Sequence, residues 1–249
     1  MTATPTSGPM HGRVALVTGG FGALGTAIAD RLSAAGAIVV RSGRNPGEGG
    51  SAHDVTSPQS WASVVDRIVD EHGHLDVLVN SAGALGGTDQ TVLTATPGQW
   101  HELFDTHVIG SWLGCREIIA RTPRNPVSIV NIGSTAGANA TPGMIAYGAA
   151  KAAVAHLTTS VALHCARAGL SVRCNAVAPA LVDGGVRDDV LGTISPAADQ
   201  ALAAYLSRVP TGRLVRPEEV AETVFFLAGA EPQALTGQIL TVAGGLGLA

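Results

Sequence analysis

One stretch constrains the fold more than any other: VALVTGGFGALG, residues 14–25, where an apolar run enters a cluster of four glycines. The run reads as a buried strand, Val14–Thr18. Leu24, Ile28 and Leu32 then recur at steps of four, which reads as a helix. A glycine turn between strand and helix is the setting of a dinucleotide-binding loop. Gly19 relieves the tight turn, the first N–H groups of the helix face a pyrophosphate, and Gly25 lets helix and strand approach.

The rest of the chain repeats the unit. Strand-like runs cover Ile38–Ser42, Val77–Asn80, Val127–Gly133, Ser171–Ala176 and Gln238–Val242, with a shorter one near Ser51–Asp54. The middle runs are almost continuously apolar, as in parallel strands covered on both faces. Helical stripes lie between them: Trp61 to Val69, a long segment from Gln99 to about Arg121, Ala150 to Cys165, and a last helix after Pro217 with Glu218 and Glu219 in its first turn. The alternation predicts an α/β, doubly wound parallel sheet with helices on both faces. At 249 residues one domain is expected, spanning 11–249 after a disordered lead at 1–10. Two segments break the rhythm. SGRNPGEGGS, residues 42–51, leaves no room for a full helix. Residues 180–206 would overhang the ligand-binding edge of the sheet, as a mobile lid or substrate loop or as an ordinary helical insertion.

Composition removes several classes. A net charge of −4 with no Lys/Arg cluster argues against nucleic acid. No run reaches 18 apolar residues, so no membrane span is expected, and residues 1–10 do not read as a signal peptide, so a cytoplasmic protein is expected. Cys115, Cys165 and Cys174 lack metal or disulfide spacing and read as reduced packing residues, with no metal site.

Tyr147-Gly-Ala-Ala-Lys151 puts a phenol and the chain's one lysine on a single helix face. A tyrosine near pKa 10 is a poor base, and a neighbouring cation favours its phenolate. Tyr147 can then give a proton to a carbonyl oxygen or take one from an alcohol. Ser134, at the end of a strand, can hold that oxygen.

Taken together these blocks resemble the short-chain dehydrogenase/reductase family, in its ketoreductase-like form. The resemblance runs from about Arg13 to Gly245 through Thr18-Gly19 to Gly25, Asp54-Val55, Asn80-Ser81-Ala82-Gly83, Ser134, Tyr147-x-x-x-Lys151, Asn175 with Pro179, and Pro217-Glu218-Glu219-Val220. It implies a Rossmann-type sheet of seven strands and a homo-oligomer, most often a tetramer. It implies hydride transfer between a nicotinamide cofactor and a small-molecule carbonyl or alcohol substrate. By the same resemblance Ser134, Tyr147 and Lys151 are catalytic. Thr18, Gly19, Gly22, Ala23 and Leu24 form the pyrophosphate turn, Asp54 and Val55 the adenine pair, and Asn80, Ala82 and Gly83 line the cofactor cleft. Pro179 and Val182 lie on the segment leading to the nicotinamide.

The chain departs from that pattern in places. Ala23 replaces the middle glycine, with Gly22 beside it. His107, in DTHVIGS, stands where the family carries an Asn that supports a proton relay to the lysine. His107 either keeps that relay, bringing a group that titrates near neutrality, or only packs the helix. Gly184 replaces a Thr that binds the carboxamide. Trp112 reads as a core residue, and Met144, Leu181 and Val186 as substrate contacts. At the end of the second strand Gly43 replaces an acid and Arg44 follows, with Arg41 near, which favours NADP(H); NAD(H) remains possible, since Glu48 is within reach of a ribose. The alternative function is a catalytically weak dinucleotide-binding sensor or oligomeric scaffold.

Overall fold

Apolar runs with no polar alternation need cover on both faces, and the chain supplies it. In the computed structural model, which describes residues 8–47, 49–87, 90–121, 125–185, 187–192, 194, 197–229 and 234–247, seven strands form one parallel sheet. They are β1 (Val14–Thr18), β2 (Ile38–Gly43), β3 (Ser51–Ala52), β4 (Val77–Asn80), β5 (Val127–Ile132), β6 (Val172–Pro179) and β7 (Ile239–Val242). Their order is β3-β2-β1-β4-β5-β6-β7. The seven-stranded α/β expectation is met. β6 is longer than expected because its end pairs with β7 as far as Pro179 and Val242.

The helices are α1 (Ala23–Ala34), α2 (Pro58–His72), α3 (Pro97–Leu103), α4 (Gly110–Arg121), α5 (Ile145–Arg167), α6 (Arg187–Gly192), α7 (Ala198–Leu206) and α8 (Pro217–Ala228). Strand side chains alternate between two cores. Ala15 and Val17 of β1 pack with Ile28 of α1 and Val224 of α8. Val14 and Leu16 pack with Trp61 of α2, Ile118 of α4 and Cys165 of α5. All three cysteines are buried and free, as expected.

The long middle segment is not one helix. It begins at Pro97, where Thr96 and Gln99 cap each other: Gln99 N–H donates to Thr96 Oγ1 (3.2 Å) and Thr96 N–H to Gln99 Oε1 (2.8 Å). Between α3 and α4, Phe104–Ile109 forms a π-helical turn that contains His107. Such turns are rare and often accompany functional sites. Trp112 is not a core residue; it is 42 % exposed on α4, with the Arg116 guanidinium 5.2 Å from its ring.

Residues 1–7 of the expected lead lie outside the described residues. Its inner end belongs to the fold. Met10 is fully buried beside α1, and its N–H donates to Ala35 O (3.0 Å). No helix among the described residues is long and apolar enough to cross a membrane.

Candidate active site

The chain leaves β1 towards β2 on one side and reaches β4 on the other. A crevice opens at such a reversal, beyond the carboxyl ends of the strands. Here it is a cleft of about 1180 Å³ running from Arg44 past the glycine turn to Tyr147 and the 180–208 segment.

At the turn, Gly19 has φ +64°, which only glycine adopts without strain, and a side chain there would press on Ala82 Cα at 2.8 Å. A side chain on Gly25 would run into the carbonyl of Gly19, so its role is to let α1 close on the turn itself rather than on the strand. The first backbone bond of α1 joins Thr26 N–H to Gly22 O (2.8 Å). The N–H groups of Ala23, Leu24 and Gly25 precede it, at a helix end suited to an anion. Ala23 faces Gly185 of the overhanging segment, where even an added Cβ on Gly185 would lie 3.7 Å from the Ala23 methyl.

Thr18 does not line the cleft. Its hydroxyl is buried, accepting the N–H groups of Ser81 (3.1 Å) and Ala82 (3.0 Å), and so ties β1 to the exit of β4. Asn80 is also turned away. Its Nδ2 donates to Asn131 Oδ1 (2.8 Å), and Asn131 Nδ2 donates to Thr158 Oγ1 (2.9 Å), a buried polar chain beneath the cleft floor. Both residues are correctly placed in sequence, but their side chains support the cleft from behind. Asn175 does the same, binding Leu235 O (2.8 Å) and Gln238 N–H (2.9 Å).

Gly43, Arg44, Asp54 and Val55 line one end of the cleft together. The N–H and hydroxyl of Thr56 both donate to Asp54 Oδ1, at 2.9 and 2.8 Å. These bonds, with Arg44 nearby, hold the Asp54 carboxyl below its ordinary value. Arg41 is engaged elsewhere, with Asp30. The sequence reading missed Phe21. Its ring occupies the space left by three glycines of the loop: an added Cβ would meet it at 3.4 Å on Gly43 and 3.2 Å on Gly47, and would run into it on Gly50. Glycines at 43, 47 and 50 beside a turn aromatic were the available signal. Glu48 and Val186 lie outside the described residues.

Ser134 leaves β5 and caps a short 3₁₀ turn through Ala136 N–H (3.1 Å). Its hydroxyl also acts on the Tyr147 phenol, favouring the ionised form. Lys151, one helical turn beyond Tyr147, donates from Nζ to Ile132 O (2.9 Å) and stands 5.6 Å from the Tyr147 ring centre. Burial lowers the lysine from 10.5 to about 7. The expected lowering of Tyr147 by Lys151 is not found. Burial raises the phenol, and Ser134 partly offsets it.

His107 is 3 % exposed and packs edge-on to Tyr147, ring centres 5.5 Å apart. Burial and the Lys151 charge lower it to about 3, so it does not titrate near neutrality as a free imidazole would. Nε2 lies 2.7 Å from Ala84 O and 3.4 Å from Ala84 N. The shorter contact assigns the proton of the neutral ring to Nε2 and leaves Nδ1 as acceptor.

Of the sequence-derived site residues, Gly19, Gly22, Ala23, Leu24, Gly43, Arg44, Asp54, Val55, Ala82, Gly83, His107, Ser134, Tyr147, Lys151, Pro179 and Val182 meet in this one cleft. Thr18 and Asn80 do not. Met144 and Leu181 line its outer half, with Val190, Ile194 and Tyr205.

Comparison with known proteins finds chains similar over almost the whole length. A family model described as enoyl-(acyl carrier protein) reductase matches residues 20–247. A 3-oxoacyl-(acyl carrier protein) reductase of Vibrio cholerae is 33% identical over 250 residues, covering 95% of this chain and 98% of the relative. A 4-formylbenzenesulfonate dehydrogenase of Comamonas testosteroni is 33% identical over 252 residues, covering 95% and 98%. The solved structure of an aldohexose dehydrogenase of Thermoplasma acidophilum superposes with a TM-score of 0.86 at 32% identity, covering 97% of this chain and 96% of that one.

Proposed function

The chain belongs to the short-chain dehydrogenase/reductase family and is an NAD(P)-dependent oxidoreductase, and from that premise we propose that it reduces a ketone or aldehyde with NADP(H), Tyr147 acting as the general acid. The observation that carries this reading is the Ser134–Tyr147–Lys151 group lining one cleft, with Lys151 Nζ 5.6 Å from the centre of the Tyr147 ring. The residues present fit a dinucleotide. The turn at Gly19 and Gly22 lines the cleft, space beside Gly22 is open but for Gly19 O at 3.6 Å from an added Cβ, and the N–H groups of Ala23, Leu24 and Gly25 head a helix there. Asp54 and Val55 would take the adenine, Arg44 the 2′-phosphate, and Lys151 the nicotinamide ribose. When bound, the nicotinamide supplies the hydride that reaches the carbonyl carbon.

The chain's own groups do the rest. Ser134 holds the carbonyl oxygen by a hydrogen bond that strengthens as negative charge develops. Tyr147 gives its phenolic proton to that oxygen, and the product is the alcohol; the oxidation direction runs the same steps in reverse. A positively charged Lys151 lowers the cost of the phenolate that remains. His107 stands in the relay position, with Nε2–H committed to Ala84 and Nδ1 left to accept from a relay water. The outer wall, with Met144, Leu181, Val190 and Ile194, suits a partly apolar substrate. The relatives' names include a reductase of 3-oxoacyl groups and a dehydrogenase of an aromatic aldehyde, and both concern such carbonyls. Exposed Ile109 at the end of the π turn, Trp112 on α4 and Leu163 on α5 support a homo-oligomer, which we take as a tetramer.

The test follows NADPH absorbance across a panel of ketones and aldehydes. Turnover is expected with part of the panel, and Tyr147→Phe should lower kcat by about 10²–10⁴-fold. NADPH binding with no turnover across a broad panel would instead identify a sensor.

A further inference from the structure

Gln90 belongs to no motif, yet it is fully buried and every polar group it has is engaged. Its Nε2 donates to the carbonyl oxygens of Leu85 (2.6 Å) and Gly87 (2.8 Å). Its Oε1 accepts the N–H of Tyr147 (3.3 Å), across 57 positions of sequence. Its backbone N–H donates to Gly143 O (3.1 Å), and its carbonyl accepts Ile145 N–H (3.0 Å). The amide has one consistent orientation. Turned over, it would set an oxygen against two carbonyls and an NH₂ against an N–H.

Two of these bonds fall on the start of α5. The first backbone bond of that helix joins Gly148 N–H to Met144 O (2.9 Å), so the N–H groups of Ile145, Ala146 and Tyr147 have no partner within the helix. Met144, at the cap position, offers no side-chain bond. Gln90 takes two of the three N–H groups from outside. The two bonds from Nε2 fall on the strip after β4, whose first residues line the cleft. Four successive carbonyls of that strip are held by side chains. Ala84 bonds to His107 (2.7 Å), Leu85 and Gly87 to Gln90, and Gly86 to Gln99 Nε2 (2.9 Å).

We propose that Gln90 is a positioning residue for Tyr147. It fixes the first turn of α5 against the cofactor-side strip, and so sets the phenol at Ser134. The inference rests on Tyr147 being the acid/base group. Without the Gln90 amide the first turn loses an anchor, the phenol shifts relative to Ser134, and it loses the influence that favours its ionised form. Displacements of this scale cost up to about 10² in rate when they misplace a reacting group.

The test uses the full chain with Gln90→Met, which keeps the volume and both backbone bonds. The kcat is expected to fall about tenfold or more, while the KM for the nucleotide stays within about twofold. A second readout needs no turnover. The chain has two tyrosines, so in a Tyr205→Phe background the ultraviolet absorbance of phenolate titrates Tyr147 alone. Adding Gln90→Met should move that midpoint upward. Gln90→Glu provides the conservative rescue. Protonated, it keeps the acceptor for Tyr147 N–H and one donor, so its kcat relative to the unmodified protein should rise as pH falls. An unchanged kcat, or a lower kcat with an unshifted Tyr147 midpoint, overturns the proposal. If the unmodified protein reduces no carbonyl, the reductase reading fails, and the Tyr147 midpoint still decides the role of Gln90.

Discussion

Lys151→Met should abolish turnover and make the folded protein more stable. Lys151 is 6 % exposed, and burial lowers its ammonium from 10.5 to about 7. The unfolded chain binds that proton more tightly than the folded one, so the lysine destabilises the fold wherever the unfolded amine is charged. The gap between 10.5 and about 7 corresponds to roughly 5 kcal/mol. The penalty is complete below about pH 7 and fades as pH rises towards 10.5. Methionine fills nearly the same space without the charge. It also removes the Nζ–Ile132 O bond, and an unpaired buried carbonyl costs about 1–3 kcal/mol. The net gain near pH 6 is therefore about 2–4 kcal/mol, or roughly 5–15 °C in Tm for a chain of this size. By pH 9 the advantage should shrink by about 3 kcal/mol. Urea unfolding of the ligand-free proteins, at equal protomer concentration, measures it. A variant no more stable than the parent near pH 6, or an advantage that does not shrink with rising pH, would refute the desolvation argument.

Two further outcomes are expected at the cleft. Arg44→Ala should raise the KM for NADPH more than that for NADH, because only NADPH carries the phosphate a guanidinium engages with paired donors; equal effects in steady-state kinetics would remove Arg44 from phosphate recognition. Because His107 is lowered to about 3 and stays neutral, His107→Asn should change the height of the pH–rate profile and leave its midpoints in place; an unchanged height would exclude a relay role.

The sheet was legible in the sequence because its central strands are nearly unbroken apolar runs. Burial on both faces demands that composition, and Val77–Asn80 is found where it was expected. The pairing of Tyr147 with Lys151 in the cleft was legible because the two are separated by one helical turn. Motif position carries nearness without direction, which explains Thr18 and Asn80. Each sits beside the cleft with its side chain turned into the protein, where Thr18 Oγ1 accepts backbone N–H groups and Asn80 Nδ2 donates to Asn131. Gln90 gave no signal, since its partners lie on separate segments and the fold alone brings them together. The π turn around His107 adds no break in hydrophobic spacing clear enough to separate it from a continuous helix. Trp112 was misjudged for the opposite reason: a large aromatic within an apolar helix suggests a core, and this one faces out.

The strip from Ala84 to Gly87 is neither helix nor strand, so no ladder holds its backbone. Its order comes from donors carried by three side chains, spaced to meet four consecutive carbonyls. The side chains of the strip itself take no part in those bonds. Its length is therefore tightly constrained. One inserted residue would slide later carbonyls by about 3.8 Å, past the reach of the groups that hold them. Half of its letters are constrained as well: Gly86 and Gly87 have φ +72° and +93°, and a side chain on Gly86 would press on Leu103 at 2.8 Å.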